Sequence, residues 1–334
     1  HPEKSGLFLY LNANKRGVTL NLKTEAGREV FKRLVREADI LVENFAPRVM
    51  SSLGLSYEIL REINPGLVMT SISNFGQTGP YRDYQATELV LQAMSGLMSF
   101  TGDRDKAPLR YSLNQAQYLA GASAAGATLM AQYSAEMVGQ GQQIDISIVE
   151  ALASTFHTSL GQYSYVGTVV GRSTNNMFRC KDGYVVANIG EQVTWDYYVA
   201  FLGALDLVDE RFQTPAGRLR HQDEVDRALQ KALAARGRYE WMHDGQANGM
   251  AFAAMLTMED LPEDPQLACR AYWVETEHAE AGSFPFPGRP YKMSESPFLM
   301  RRPAPRLGEH NAELFGELGY SAKDLASLRA LQAI

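Results

Sequence analysis

The chain has 334 residues, 45% of them hydrophobic and 21% charged, with a formal net charge of −6. That balance suits a globular protein with a full core, allows two domains, and gives no reason to expect disorder, nucleic acid or an anionic membrane as partner. An anionic ligand would have to be met by local Lys and Arg. No apolar run is long enough to span a bilayer, and no secretory or lipidation signal is present. The two cysteines, Cys180 and Cys269, lie far apart and match neither a disulfide framework nor a metal site, so a reducing cytoplasm is the expected location. The first residue is His1 rather than Met, which suggests a chain lacking its first elements.

Near the start, Asn12, Asn14, Lys15 and Arg16 set two cations beside two amides, either a phosphate clamp or a solvated surface. Residues 17–22 read as a short strand, Thr24 caps a helix to Glu37 with Val30, Phe31, Leu34 and Val35 inward, and residues 38–42 read as a second strand. Strand, helix, strand predicts a βαβ crossover and a parallel sheet. Ligands gather at the carboxyl ends of such strands, which nominates Asn44, Phe45 and the loop through Met50 as a binding edge. The plainer alternative makes Asn44 a turn cap and Phe45 a core residue.

Residues 57–63 predict another helix and 67–73 another strand, followed by a glycine-containing loop, 74–80, in the same topological place. That loop has neither Gly-x-Gly-x-x-Gly nor Gly-Lys-Ser/Thr, so the common nucleotide motifs fail. Residues 87–99 read as helix, with Leu89, Leu91, Met94, Leu97 and Met98 apolar. Glu88 in its first turn is either a working carboxylate or an acid that satisfies the helix dipole.

The stretch from Pro108 to Glu150 is the most informative. From 118 to 133 it lacks proline, and Ala120, Gly121, Ala124, Ala125 and Ala127 make one helical face nearly flat, so another backbone can approach closely. Gly139 and Gly141 break the helix, residues 143–148 alternate as a strand, and a helix follows. The helix entrance, 115–117, faces the positive end of the dipole, where a carboxylate or carbonyl oxygen is favoured; this chain places amides there.

Composition shifts after Gly171. Residues 176–289 combine a hairpin turn at Lys181, Asp182 and Gly183, a strand at 184–189, a helix at 195–202 and a long helical segment at 218–236, which predicts a smaller α+β domain. Residues 283–290, with three prolines, read as a linker, and a last helix is expected at 322–331. The scattered histidines lack metal spacing, so no metal is expected.

Eight segments together resemble the family III CoA-transferases, the CaiB/BaiF group that includes formyl-CoA transferase, carnitine CoA-transferase and the α-methylacyl-CoA racemases. They are residues 14–20, 39–47, 53–55, 76–80, 92–97, 139–142, 182–184 and 305–311, in the family's order. The resemblance implies an α/β fold with a Rossmann-like large domain over 1–175, a smaller α+β domain over 176–292, a C-terminal segment, 293–334, returning to the large domain, and an intertwined dimer. It also implies a first βα portion that this sequence does not contain.

As substrate the family takes coenzyme A in acyl-CoA thioesters, which maps CoA binding onto Lys15, Arg16, Asn44, Phe45, Val49 and Leu53. Where many members carry an Arg, this chain has Ser52. The larger departure is at the reacting centre. Family transferases place an Asp four residues before the Gly of an Ala-Gly pair, and that Asp attacks the thioester; counting back from Gly121 reaches Gln117. A carboxamide is uncharged, and its lone pair is delocalised, so it cannot take that role. The racemase acid–base pair falls on Thr87 and Gln117 and fails likewise, while Glu88 falls where transferases keep an active-site acid.

Three readings follow. The chain is a silent subunit paired with a homologous catalytic chain in a heterodimer or heterotetramer, as in transferases for aromatic dicarboxylic acids such as benzylsuccinate; or it is an active homodimer using Glu88; or it is a non-enzymatic acyl-CoA binding protein.

Overall fold

The structure, a computed structural model, describes residues 4–103, 105–169, 171–172, 176–190 and 192–334. The chain divides into two compact units, one of His1–Ser173, Glu275–Phe286 and Tyr291–Ile334, the other of Thr174–Val274 and Pro287–Pro290.

The first unit runs α1 (Gly6–Leu11), α2 (Glu25–Glu37), β1 (Ile40–Glu43), α3 (Val49–Ser52), α4 (Tyr57–Ile63), β2 (Val68–Ser73), α5 (Glu88–Met94), α6 (Gln115–Val138), β3 (Gln143–Ser147), α7 (Ile148–Ala153) and α8 (His157–Val166). Its sheet is parallel, in the order β1-β2-β3, with Leu41 opposite Met69 and Ser73 opposite Ser147. Central β2 is covered on both faces, which is why Val68-Met69-Thr70-Ser71 reads as a buried run rather than an alternation. Thr24 caps α2 as expected, its hydroxyl accepting from Gly27 N–H at 3.0 Å.

Residues 17–22 form no strand. Their backbone is bonded to the C-terminal segment instead: Gly17 N–H donates to His310 Nδ1, Thr19 N–H to Asn311 Oδ1 and Asn21 N–H to the Ala333 carbonyl. The parallel crossover therefore joins β1 to β2 through α3 and α4, one step later than the sequence pattern suggested.

Helix α6 is the long element of this unit, longer at both ends than the expected span 118–133. Ala116 and Ala120 pack with Leu91, Ile148 and Leu152, and Ala131 and Ala135 lie on Val68. Small side chains allow that approach, and the Thr70 and Thr128 hydroxyls meet at 2.6 Å. The flat face is thus partly used within the chain, while Gly121 and Ala125 remain exposed. Gly139, at φ 72°, turns the chain out of α6. Gly141 follows where no side chain fits: a Cβ would stand 2.0 Å from the Leu67 carbonyl oxygen. The helix expected over 87–99 ends at Met94, and a left-handed Gly96 leads into a short 3-10 turn at Leu97–Phe100.

In the second unit, β4 (Met177–Cys180), β5 (Gly183–Asn188) and β6 (Ala251–Ala254) make an antiparallel sheet. Against it pack α9 (Trp195–Leu202), α11 (Gln222–Leu233) and α12 (Arg238–Ala247), closing a core around Phe178, Val185, Tyr198, Leu233, Trp241 and Phe252, with α10 (Pro215–Arg220) leading into α11. The segment expected as one helix over 218–236 is interrupted at His221. Helix α13 (Pro265–Cys269) follows, and the first unit resumes in a two-stranded sheet, β7 (Trp273–His278) and β8 (Gly282–Pro287), most of whose residues belong to it. The expected proline linker is thus largely a strand; with one neighbour only, β8 leaves an edge on which a missing N–H is tolerated. Helices α14 (Asn311–Glu317) and α15 (Ala322–Ala330) complete the chain, α15 closed by a reciprocal Ser321–Asp324 capping box.

Candidate active-site cleft

The carboxyl ends of β1 and β2 open onto a cleft of about 480 Å³, walled by the Asn44–Arg48 loop, by Ser73 and Asn74, by the 82–85 loop, and by Gln117 and Gly121 of α6. This is where a parallel sheet collects ligands. The loop after β2 is fastened from β3: Asp145 accepts the Gln77 N–H on both carboxylate oxygens, at 2.9 and 3.0 Å. Behind it, Phe75, Tyr81 and Tyr84 pack ring against ring.

The entrance of α6 is built by residues from α5. Asn114 makes no side-chain cap, and the free donor is met instead by Glu88, whose Oε1 accepts the Ala116 N–H at 2.8 Å. The same oxygen accepts from Gln92 Nε2 at 2.8 Å, and Gln92 in turn clasps the Tyr111 backbone, donating to its carbonyl and accepting its N–H. Glu88 is buried, and its Oε2 finds no partner among the described residues. Its carboxylate therefore serves as the cap of the helix that carries Gln117, and it does not line the cleft. Gln117 is exposed and shares the cleft-facing side of α6 with Gly121, one turn on.

Two of the candidate CoA residues, Asn44 and Phe45, line the cleft beside Gln117; Lys15, Arg16, Val49 and Leu53 do not. Arg16 is held by two glutamates of α14, Glu313 at 2.9 Å and Glu317 at 2.7 Å. Those bonds keep its guanidinium above its ordinary value and hold Glu313 below the usual carboxylate range. Lys15 donates to Asn12 Oδ1 at 3.0 Å. Leu53 packs on the Met50, Leu55 and Leu60 cluster, so it supports the loop from beneath.

The cleft cations are others, Arg48 and Arg82. Arg48 grips Asp83 with two donors, Nε to Oδ1 at 2.9 Å and Nη2 to Oδ2 at 2.5 Å. Arg82 Nε stands 3.6 Å from the same Oδ1. The Arg48 hydrogen bonds hold Asp83 below the ordinary carboxylate range, and Asp83 is the one carboxylate among the described residues lining the cleft. Sequence reasoning had reached the loop that contains Arg48 but not this residue; the signal available was its place between Pro47 and Val49, at the strand edge already singled out. No group of three or more His, Cys, Asp and Glu among the described residues could hold a metal ion.

A strand-end cleft with two guanidinium groups, an amide-lined wall and a long helix opening onto it suits a phosphate-bearing acyl carrier. The model of CoA-transferase family III matches residues 1–311. The chain belongs to CoA-transferase family III. Subunit BbsE of succinyl-CoA:(R)-benzylsuccinate CoA-transferase from Thauera aromatica is 34% identical to it, over 98% of this chain and 84% of that one. A formyl-CoA:oxalate CoA-transferase of Streptomyces avermitilis is 33% identical, over 97% and 85%. Among solved structures, a CaiB/BaiF family protein from Brucella suis superposes with a TM-score of 0.84 at 28% identity, covering 94% of this chain and 84% of that one. Family membership places the chain among CoA-transferases. Its mixed α/β fold is that of the CaiB/BaiF structures. No helix among the described residues is long and apolar enough to cross a membrane.

Proposed function

We propose that this chain is the catalytically silent subunit of a family III CoA-transferase that moves CoA between an acyl-CoA thioester and a free carboxylic acid. The observation that carries the reading is Gln117, a neutral amide on the cleft wall at the entrance of α6. An amide there can donate to or accept from a thioester carbonyl, but it offers no oxygen able to displace a thiolate. Glu88 gives no substitute, because its carboxylate caps α6 from behind. Asp83 is bound bidentately to Arg48. The attacking carboxylate comes, on this reading, from a homologous chain in an intertwined heterodimer or in a heterotetramer.

The surface of the first unit supports a partner. Leu129, Met130, Tyr133 and Met137 of α6 are exposed, and α8 has no buried residue while presenting Leu160, Tyr163 and Val166. Contiguous apolar side chains of this kind are covered in an assembly. That one relative is a subunit by name accords with this.

The test is CoA exchange between a donor thioester and a free acid, measured for the chain alone and mixed with its homologous partner. Turnover only in the mixture is expected. Turnover by the chain alone that disappears in Glu88→Gln would make Glu88 the acid instead, and CoA binding without turnover in either preparation would leave a binding protein. In the chain alone, Gln117→Asp is expected to yield an acyl or CoA adduct on that aspartate, cleaved by hydroxylamine and located by mass spectrometry. An adduct-free protein would sink the idea that the site lacks only its nucleophile.

A further inference from the structure

The Asp83 carboxylate lies between two guanidinium groups on the wall of the cleft, with both oxygens on the Nε and Nη2 edge of Arg48 and with Arg82 3.6 Å from Oδ1. That edge of an arginine takes two phosphate oxygens in the same forked geometry as it takes two carboxylate oxygens. We propose that Arg48 and Arg82 are the cations that hold the diphosphate of CoA, and that Asp83 is an internal anion which the diphosphate displaces. The proposal rests on the CoA reading above and moves the phosphate contact away from Lys15 and Arg16.

Three observations carry it. Arg16 is committed to Glu313 and Glu317, and neither it nor Lys15 lines the cleft, whereas Arg48 and Arg82 both do. Arg48 stands at the N-terminal cap of α3, in the loop that begins at Asn44, so its guanidinium rises from the carboxyl end of β1. The pair with Asp83 is exposed on both sides, so its net worth is small and a doubly charged ligand outcompetes it. With Asp83 in place the three side chains sum to one positive charge; with Asp83 turned away they present two, matching a diphosphate. The sequence places Ser52 one turn further along α3, and the Ser52 N–H to Arg48 carbonyl bond of 2.9 Å confirms that turn. Arg48 is thereby the arginine that this short helix offers to the cleft.

Titration calorimetry on the full chain tests the proposal, with CoA, 3′-dephospho-CoA, pantetheine and inorganic pyrophosphate as probes. Arg48→Gln is expected to weaken CoA and 3′-dephospho-CoA by about tenfold or more, the size of a lost charged hydrogen-bond pair, and to leave pantetheine unchanged. Asp83→Asn is expected to tighten CoA and pyrophosphate, since the competing anion is gone. The proposal falls if Arg48→Gln binds CoA as the wild-type chain does, if pantetheine weakens in proportion, or if 3′-dephospho-CoA is spared while CoA is not, which would assign Arg48 to the 3′-phosphate. It falls also if Asp83→Asn brings no gain. A wild-type chain that binds none of the four probes would remove the CoA reading itself, an outcome distinct from all the others.

Discussion

The two units bury their apolar side chains differently. Around β4, β5 and β6 there is one closed core, in which Tyr198, Trp241 and Phe252 meet ring to ring. In the unit that carries the cleft the core is divided into smaller clusters, and α6 and α8 leave large apolar side chains in solvent. The second unit exposes single apolar side chains too, Leu205, Leu219 and Met258 among them, but the first differs in the run Leu129, Met130, Tyr133 and Met137 along one helix. The cleft lies in the first unit, and on the reading proposed above a partner chain would cover α6 and supply the carboxylate that Gln117 does not.

The largest effect that would sharpen this contrast comes from the closed core. Phe252 is fully buried, with ring centroids 5.9 Å from Phe201 and 6.1 Å from Tyr198, and α12 approaches so closely that a Cβ on Gly245 would meet its ring at 2.5 Å. Phe252→Ala is expected to cost about 3–5 kcal/mol through lost burial and the cavity left behind. Calorimetric scanning of the wild-type chain and the variant checks this. The loss should fall on the transition of the second unit while CoA affinity below that transition is unchanged; one transition shifting as a whole, with CoA affinity falling alongside, would break the distinction.

The matching perturbation of the first unit is smaller, because forcing in one methyl group costs less than emptying an aromatic site. Gly141 leads into β3 where a Cβ would stand 2.0 Å from the Leu67 carbonyl oxygen, and its N–H donates to the Pro65 carbonyl at 2.8 Å. Gly141→Ala must push two backbone segments apart, at a cost of roughly 1–3 kcal/mol. Here the CoA affinity of the chain should fall with its melting temperature, since β3 supplies Asp145, which fixes the loop after β2. A variant that melts early yet binds CoA normally would separate the sheet from the cleft.

What the sequence revealed and what it hid divide along range of interaction. Helix α2 was legible because Thr24 and the inward run Val30, Phe31, Leu34 and Val35 are local signals. The strand-end loop at Asn44 was legible for the same reason, since the short apolar run Ile40-Leu41-Val42 ends abruptly in Glu43 and Asn44. Residues 17–22 misled because β-branched content mimics a strand when the backbone partners are His310, Asn311 and Ala333, about three hundred residues away. Arg16 was unreadable by the same logic: nothing near it in the chain announces Glu313 and Glu317. For Glu88 the pattern left catalysis and capping open together, and only the position of Ala116 N–H, on a helix that starts 27 residues later, separates them. The pairing of Arg48 with Asp83, across 35 residues, lies beyond any periodicity.

The smallest effect expected tests whether the closed core of the second unit carries an electrostatic penalty of its own. Asp226, on α11, is held above the ordinary carboxylate range, chiefly by burial and then by the neighbouring charge of Asp223. A carboxyl whose folded value is raised binds its proton more tightly in the native state than in the unfolded one, so stability falls as pH climbs from the unfolded value through the folded one. At pH 7 the full penalty is present; in acid, below the unfolded value, it is gone. Asp226→Asn removes the charge at every pH, so it should raise the melting temperature of the second unit slightly at pH 7, and the advantage should shrink as pH is lowered through the carboxylate range. Asp260 responds oppositely: its bonds to Arg238, Thr257 N–H and the Thr257 hydroxyl depress its value, so it stabilises near neutrality and loses that contribution in acid. Measuring the melting temperature from pH 7 to pH 4 for the wild-type chain and Asp226→Asn isolates the first effect from the second, because Asp260 is present in both. Equal gains at both ends of the range would mean that the amide acts by packing rather than by charge.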